Sequence, residues 1–269
     1  MQLYGPIGVF DSGVGGLSVV RALIRQMPNE NLIYYGDTRH VPYGDKTVEQ
    51  LFTYARHIID YFLSLKVKAI IAACGSQSSN TLPVLEKECP VPLIGVLKPG
   101  VKEALHVSAN DNIAVLATQA TVSSGTYTKE IASVRVRGRV FETACPAFVP
   151  LVEAGNTDGE EAREAVEQVT QAIREQPFDT LILGCTHYTF LMPLIKNGLH
   201  SGVKIIDPAY ATVNALKSIL HGNGLLNQEL ENKAQCHDYI VSGDPGHFRQ
   251  VGALLLPGTV DSVRKVVFD

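Results

Sequence analysis

Two cysteines stand at places in the sequence where a thiol can do chemistry. Cys74 follows the apolar run 69–73, and Cys185 follows the run 181–184. Small, hydrogen-bonding residues come next in both cases, which is typical of the carboxyl end of a strand in an open α/β sheet, where such folds bind ligands. The two thiols are 111 positions apart, so each can belong to its own α/β unit. We therefore expect them to face each other across a cleft.

A pair of thiols without a metal suits proton transfer at a carbon acid. Racemisation of an amino or hydroxy acid needs a base that removes the α-proton from one face and an acid that protonates the other face. A thiol can serve if a nearby imidazolium or helix N-terminus lowers its pKa from about 8.5. His187 lies two residues after Cys185 and is the candidate imidazolium. From the residues alone, a racemase or epimerase is one option beside buried, inert cysteines.

The cysteines also allow other interpretations. A zinc site could use Cys185 and His187 with the distant Cys74, but structural zinc sites normally show a second closely spaced ligand pair, and the sequence has none. We therefore predict no metal. The remaining cysteines are interpreted as small buried hydrophobic residues: Cys89, Cys145 and Cys236.

A glycine-rich turn follows the first predicted strand. The stretch 11–16 reads Asp-Ser-Gly-Val-Gly-Gly and leads into an apolar-periodic helix. It resembles a dinucleotide fingerprint, but Ser18 stands where the third glycine is required. We interpret it as a tight strand-to-helix turn that binds no nucleotide. Asp11 and Ser12 would then point into the crevice at the strand ends.

The elements that must position these residues alternate between strand and helix. This alternation predicts an α/β fold of mainly parallel sheets flanked by helices. A capping box at Thr47 and Gln50 predicts the start of one helix. A further helix is expected near 77–88, and 134–143 is expected to be mostly extended. The tail is expected to return and complete the first unit, so the predicted domains are 1–98 plus 208–269, and 99–207.

Composition limits the classes of protein that the chain can belong to. Its 269 residues are 45% hydrophobic and 19% charged, with a formal net charge of −4, which favours a globular core over disorder. The sequence has no run of five or more like charges, so its charge pattern suggests neither a nucleic acid nor an anionic membrane as a partner. The sequence shows neither a signal peptide nor an apolar run of about 18 residues. We expect a soluble, cytoplasmic protein with reduced cysteines.

Several motifs, in one order from about residue 6 to about residue 250, resemble those of bacterial glutamate racemase. The motif Leu-Gly-Cys-Thr-His-Tyr at 183–188 is the most specific of them. The others are Asp-Ser-Gly-Val-Gly-Gly at 11–16, Tyr-Gly-Asp-Thr at 35–38, Pro-Tyr-Gly at 42–44, the Cys74 strand, Thr118 with Thr121, Cys-Pro-x-Phe-Val-Pro-Leu-Val-Glu at 145–153 and Ser-Gly-Asp at 242–244.

This resemblance implies an enzyme that needs no cofactor, neither pyridoxal phosphate nor a nucleotide. It also implies two pseudo-symmetric α/β domains with the active site in the cleft between them. The substrate would be the small molecule glutamate, and the product D-glutamate would supply peptidoglycan synthesis and so cell-wall formation and cell shape. The family usually forms homodimers.

The resemblance also implies a role for each matching residue. Cys74 would act on the D-enantiomer and Cys185 on the L-enantiomer. Asp11 and His187 would assist their respective thiols, with Glu153 near His187. The residues expected around the amino-acid head group are Ser12, Gly75, Ser76 and Thr186. Those expected around the side-chain carboxylate are Pro42, Tyr43, Gly44, Thr118 and Thr121.

Three positions depart from the family pattern. Gly75 and Ser76 stand in place of the usual Asn-Thr, and Thr189 replaces the usual Pro. Gly75 removes a side-chain amide from the head-group site, and a lost hydrogen bond to a charged ligand costs about 1.5–3 kcal/mol. Gly75→Asn should restore that donor, unless Gly75 makes room for something else and the added side chain clashes. A related racemase for another acidic substrate, or a homologue with a binding or regulatory role, therefore stays open.

Overall fold

The computed structural model describes residues 5–135, 137–227 and 237–268. All of its strand pairings in these ranges are parallel. In chain order the strands are β1 (Ile7–Asp11), β2 (Leu32–Gly36), β3 (Ala69–Ala72), β4 (Leu93–Gly95), β5 (Ile113–Ala117), β6 (Val140–Ala144), β7 (Thr180–Leu183), β8 (Lys204–Ile206), β9 (His237–Val241) and β10 (Val263–Lys265).

The strands form two sheets. One has six strands in the order β10-β9-β2-β1-β3-β4, and the other has four in the order β6-β5-β7-β8. The predicted α/β fold class with parallel sheets is confirmed. Strands β9 and β10, from the tail of the chain, belong to the six-stranded sheet. The domain limits themselves stay a prediction.

Helices connect and flank the strands. They are α1 (Leu17–Gln26), α2 (Val48–Ser64), α3 (Gly75–Asn80), α4 (Leu82–Glu88), α5 (Leu97–Val107), α6 (Gln119–Ser124), α7 (Thr126–Val134), α8 (Phe148–Glu153), α9 (Glu160–Arg174), α10 (Met192–Gly198), α11 (Pro208–Gly222) and α12 (Pro245–Leu255). Two 3-10 turns cover Tyr43–Asp45 and Thr186–Leu191. In the described ranges, no helix combines the length and the apolar character that crossing a membrane requires.

Local sequence explains where helices start and which face they bury. The predicted capping box is present: Thr47 accepts from the Gln50 backbone and the Gln50 side chain accepts from the Thr47 backbone. In α9, Ala162, Val166 and Ile173 are buried at helical spacing. Burial of such a valine or isoleucine side chain contributes about 1.5–3 kcal/mol, which holds the helix against its sheet.

Two secondary-structure predictions were wrong in detail. The helix expected near 77–88 is two helices, because α3 ends at Asn80 and Pro83, in the first turn of α4, has no N–H to continue the helical hydrogen bonds. The stretch expected to be extended from 134 begins instead with the last residue of α7, and β6 starts at Val140. Apolar residues suit a helix or a strand, so their alternation alone could not place this boundary.

The carboxyl ends of the strands carry the polar residues singled out above. Asp11 is the last residue of β1, and Cys74 follows β3 by two positions. Thr118 comes directly after β5, and Cys185 follows β7 by two positions. Because parallel strands end at the same edge of their sheet, each sheet gathers its chemistry at one edge.

Candidate active site

One thiol stands at the end of a chain of buried polar groups. The Sγ atom of Cys185 lies 3.6 Å from Nδ1 of His187, and Nε2 of the same ring lies 2.6 Å from Oε1 of Glu153. The thiol is only 5% exposed and the imidazole 1%. The carboxylate therefore orients the ring, and the ring faces the sulfur, as is common where a base is positioned by a third group.

This arrangement favours the protonated form of His187. Burial alone would lower the pKa of His187, but the hydrogen bonds to Cys185 and Glu153 outweigh burial and raise that pKa well above its ordinary value of 6.5. His187 therefore supplies a charged partner 3.6 Å from the sulfur of Cys185.

The glycine-rich turn before α1 lies directly against this chain. A Cβ atom added at Gly13 would lie 1.8 Å from Oε1 of Glu153, and one added at Gly15 would lie 2.2 Å from Nδ1 of His187. The backbone N–H of Val14 donates to Oε1 of Glu153 at 2.8 Å. The absence of side chains at Gly13 and Gly15 therefore leaves room for the carboxylate of Glu153 and the ring of His187. This packing explains why the turn is rich in glycine although it lacks a complete nucleotide fingerprint.

Asp11 lies between the two sheets. Its Oδ2 atom accepts from the backbone N–H groups of Gly13 at 3.2 Å and Gly16 at 3.0 Å, and its Oδ1 atom lies 3.4 Å from the hydroxyl of Thr186. Burial raises the pKa of Asp11, and the positive charge of His187 and the Gly13 hydrogen bond offset this only in part. A carboxyl group with a raised pKa is suited to exchange protons with a neighbour.

The second thiol has a different environment. Cys74 is 5% exposed, and burial raises its pKa well above 9.0, with the nearby charge of Asp11 acting in the same direction. The lowered pKa that thiolate chemistry requires is therefore not supplied at Cys74 by its surroundings. The reason is desolvation: a buried thiol with a carboxylate beside it keeps its proton.

Hydroxyl groups from the segments that follow β3 and β5 lie within hydrogen-bonding distance of one another. The hydroxyls of Ser76 and Thr118 are 2.9 Å apart, and Thr118 donates to Thr121 at 3.1 Å. Gly44 lies against the same threonine, since a Cβ atom added there would be 3.0 Å from the Cβ of Thr118. Predicted substrate-binding residues from three separate segments are thus brought together.

Tyr43 is held by a residue that received no role from the sequence. The hydroxyl of Tyr43 donates to Oδ2 of Asp37 at 2.5 Å, and Ser242 donates to Oδ1 at 2.7 Å. Asp37 is 3% exposed and follows β2 as Asp11 ends β1, so its position at a strand end was the available signal. Pro42 precedes Tyr43 at the start of the 3-10 turn.

The remaining predicted residues are also placed by the structure. Ser12 is 3% exposed and follows Asp11. Gly75 is the first residue of α3, and it contacts the backbone at Gly184. Thr189, where the family usually has proline, is buried.

The cysteines without a proposed role are free thiols where the structure describes them. Cys145 is a buried free thiol, and Cys89 is a half-buried one. Cys236 lies outside the described residues. The described part of the chain contains no group of three or more His, Cys, Asp or Glu side chains placed to hold a metal ion. A mainly apolar groove of about 660 Å³ between α4, α5 and α7 has Leu82, Leu97 and Val134 in its walls and is separate from the thiols.

Comparison with known proteins decides the family. Residues 7–216 match the family described as Asp/Glu/hydantoin racemase. The chain belongs to this family. A glutamate racemase from Desulforudis audaxviator is 40% identical over 266 residues, which cover 97% of this chain and 97% of that protein.

Solved structures of family members have the same fold. Glutamate racemase isoform RacE1 from Bacillus anthracis has a TM-score of 0.92 at 32% identity, with 100% of this chain and 98% of that chain covered. Glutamate racemase from Francisella tularensis in complex with D-glutamate has a TM-score of 0.89 at 30% identity, with the same coverage. The resemblance found in the motifs is confirmed, and the chain is an isomerase of the racemase type.

Proposed function

We propose that this chain interconverts L- and D-glutamate by proton transfer at Cα between two thiols. The observation that carries the proposal is the meeting of Cys185, His187 and Glu153 with Asp11 at the facing edges of the two sheets. The family's glutamate racemases, one of them solved with D-glutamate, support glutamate as the substrate.

The two thiols have unequal resting states in this mechanism. Cys185, beside the ring of His187, acts first as the base, and burial, which raises the pKa of Cys74, favours the thiol form of that residue. The Cys185 thiolate removes the α-proton of L-glutamate, and the electron pair of the C–H bond moves to the α-carbon and its carboxylate. The Cys74 thiol then donates its proton to the opposite face. The product is D-glutamate, with Cys185 protonated and Cys74 as thiolate.

The reverse reaction uses the same groups with exchanged roles. Asp11, whose pKa is raised by burial, accepts the proton of Cys74 and so prepares its thiolate for D-glutamate, while His187 returns a proton to Cys185. The Cys185 thiol then protonates the opposite face of the α-carbon. Ser12, Ser76 and Thr186 contact the head group in this proposal. The side-chain carboxylate is bound by the Pro-Tyr-Gly turn at 42–44, Thr118 and Thr121.

The wider role follows from the product. D-glutamate is a building block of peptidoglycan, so we propose a place in cell-wall synthesis, in the cytoplasm, for an enzyme that acts as a homodimer. No cofactor is part of this proposal.

Exchange of the α-hydrogen tests the proposal directly. The purified chain in D₂O should incorporate deuterium at Cα of both L- and D-glutamate while it racemises them. Aspartate and bulkier acidic amino acids serve as competing substrates. Exchange with another acidic amino acid but not with glutamate would reassign the substrate, and exchange with none of them would leave a binding or regulatory role.

Replacing Glu153 should move the pH dependence of the reaction. In Glu153→Gln the ring of His187 loses a carboxylate that raises its pKa, so the imidazolium is lost at a lower pH than in the wild type. The alkaline decline of kcat/KM should therefore begin at lower pH. Measuring kcat/KM against pH for L-glutamate checks this shift.

Glu88→Gln is the matched control, because Glu88 pairs with Arg56 on the surface at 2.9 Å. Its profile should overlay that of the wild type. An unchanged alkaline decline in Glu153→Gln would show that the protonation of His187 does not limit the reaction.

Removal of metals should leave the activity intact. The sequence offers neither a closed set of zinc ligands nor a complete nucleotide fingerprint, so dialysis against a strong chelator should change turnover by less than about twofold. The assay is racemisation before and after chelation, without added pyridoxal phosphate. Loss of activity that a stoichiometric divalent metal restores would favour the zinc interpretation of Cys185 and His187.

A further inference from the structure

The backbones that carry the two thiols touch each other at Gly75. A Cβ atom added at Gly75 would lie 2.1 Å from the carbonyl oxygen of Gly184 and 3.7 Å from Cα of Cys185. Gly75 follows Cys74 directly, and Gly184 precedes Cys185. The contact therefore joins the residues next to each thiol, with backbone atoms on both sides.

The Gly184 side of this contact cannot give way. The N–H group of Gly184 donates to the carbonyl of Leu116 in β5 at 2.7 Å. A Cβ atom added at Gly184 would itself lie 2.9 Å from the same oxygen and 3.0 Å from the Cβ of Ala117. Because a fixed carbonyl rather than a movable side chain faces Gly75, any side chain at position 75 has to push the two strand ends apart.

A seam of hydrogen bonds between α3 and the segment 118–126 surrounds this contact. Ser76 meets Thr118 at 2.9 Å, and the hydroxyl of Ser79 lies 3.5 Å from that of Thr121. Thr126 donates its hydroxyl to the carbonyl of Ser79 at 3.1 Å. Water can replace such bonds at small net cost, since each contributes only about 0.5–1.5 kcal/mol. The seam can therefore open without disrupting either sheet.

We propose that Gly75 sets the separation of the two thiols. Because Gly75 has no side chain, the two strand ends approach until their backbones are in contact. The proposed substrate-binding hydroxyls of Ser76, Thr118 and Thr121 then pair with one another until a substrate displaces them. On this basis Gly75 is a positioning residue of the cleft and not a lost donor. Gly75→Asn should accordingly fail to lower the KM for glutamate.

The reactivity of the buried thiols tests this proposal without using racemisation. Gly75→Ala should increase the rate at which N-ethylmaleimide alkylates Cys74 and Cys185 on the order of tenfold, because buried thiols react from the open population. Peptide mass spectrometry measures each cysteine separately, with Cys89 as the internal reference. Gly222→Ala is the matched control, since a Cβ atom there meets nothing within 4 Å.

The proposal rests on the proposed function for its catalytic consequence only. If the chain racemises glutamate, Gly75→Ala should lower kcat more than it raises KM, because misplaced thiols weaken proton transfer. A chain without glutamate activity would still show the alkylation difference, so the two failures are distinguishable.

If Gly75→Ala unfolds, the alkylation rates of Cys89 and Cys145 should rise as much as those of Cys74 and Cys185. A second variant tests the proposal in that case. Thr126→Val keeps the side-chain shape and removes the seam hydrogen bond to Ser79. It should accelerate alkylation of Cys74 and Cys185 about threefold. The proposal would be overturned if a folded Gly75→Ala alkylated both thiols at the wild-type rate. If Gly75→Ala unfolds, wild-type rates in Thr126→Val would overturn it instead.

Discussion

Serine in place of Cys74 or of Cys185 should each reduce racemisation by about 10²- to 10⁴-fold, the range attributed to a positioned acid or base. The hydroxyl of serine is far less acidic than a thiol, so it cannot form the required anion. The two variants should differ in α-hydrogen exchange. Cys74→Ser keeps the Cys185 thiolate and should exchange only L-glutamate in D₂O, and Cys185→Ser should exchange only D-glutamate.

Cys145→Ser and Cys89→Ser are the matched controls, because the first is buried, the second is half-buried and neither belongs to the proposed mechanism. Both should turn over within a few-fold of the wild type, as should Cys236→Ser. Wild-type racemisation in either Cys74→Ser or Cys185→Ser would remove that thiol from the mechanism.

Gly15→Ala should reduce kcat/KM on the order of 10²-fold although residue 15 carries no reactive group. Its new Cβ atom would lie 2.2 Å from Nδ1 of His187, so the ring has to leave its place between Cys185 and Glu153. Displacement of a catalytic group by about 1 Å can cost this much. Steady-state kinetics with L- and D-glutamate measures the loss, which should be equal in kcat/KM for both because the two enantiomers have equal free energy.

The control for Gly15→Ala is again Gly222→Ala, at a position with open space. Thermal unfolding of both variants separates loss of the fold from loss of the ring position. A folded Gly15→Ala with the activity of the wild type would mean that the ring can move aside without consequence, and that its contact with Cys185 is not used.

The protonation of His187 also links stability to pH. Its pKa in the folded chain is raised well above 6.5, so the folded state binds this proton more tightly than the unfolded state. The contribution to stability is fully present below the unfolded-state pKa and is lost as pH rises through the folded-state value.

Sequence patterns predicted the parallel sheets because apolar runs such as 69–73 and 113–117 are too short for helices and end in polar residues. They also placed Cys74 and Cys185 at strand ends. They did not place the break at Thr81, although Pro83 in the first turn of α4 was an available signal, because proline has no N–H to continue the hydrogen bonds of α3.

The family resemblance predicted Glu153 near His187, which the structure shows at 2.6 Å, but it did not predict the contacts of the glycine-rich turn. Nothing in the spacing of Gly13 and Gly15 indicated that they face Glu153 and His187, since these residues are far apart in the sequence and are connected to different sheets. The rise in the pKa of Cys74 was likewise hidden, because it comes from burial among residues distant in sequence. From the sequence, Gly75 was interpreted as the loss of a side-chain amide. The carbonyl of Gly184, which any side chain at position 75 would meet, suggests instead that this position requires glycine.

The return of the tail to the six-stranded sheet has a consequence for synthesis on the ribosome. The four strands of the smaller sheet lie within 113–206, so that sheet can form while the rest of the chain is still being made. In the larger sheet Leu32 pairs with His237, and β2 keeps an open edge until the last segment emerges. Such edges invite pairing with other chains, and pairing so distant in sequence is slow. The nascent chain therefore carries this unpaired edge from the synthesis of β2 until residues 237–241 have been made.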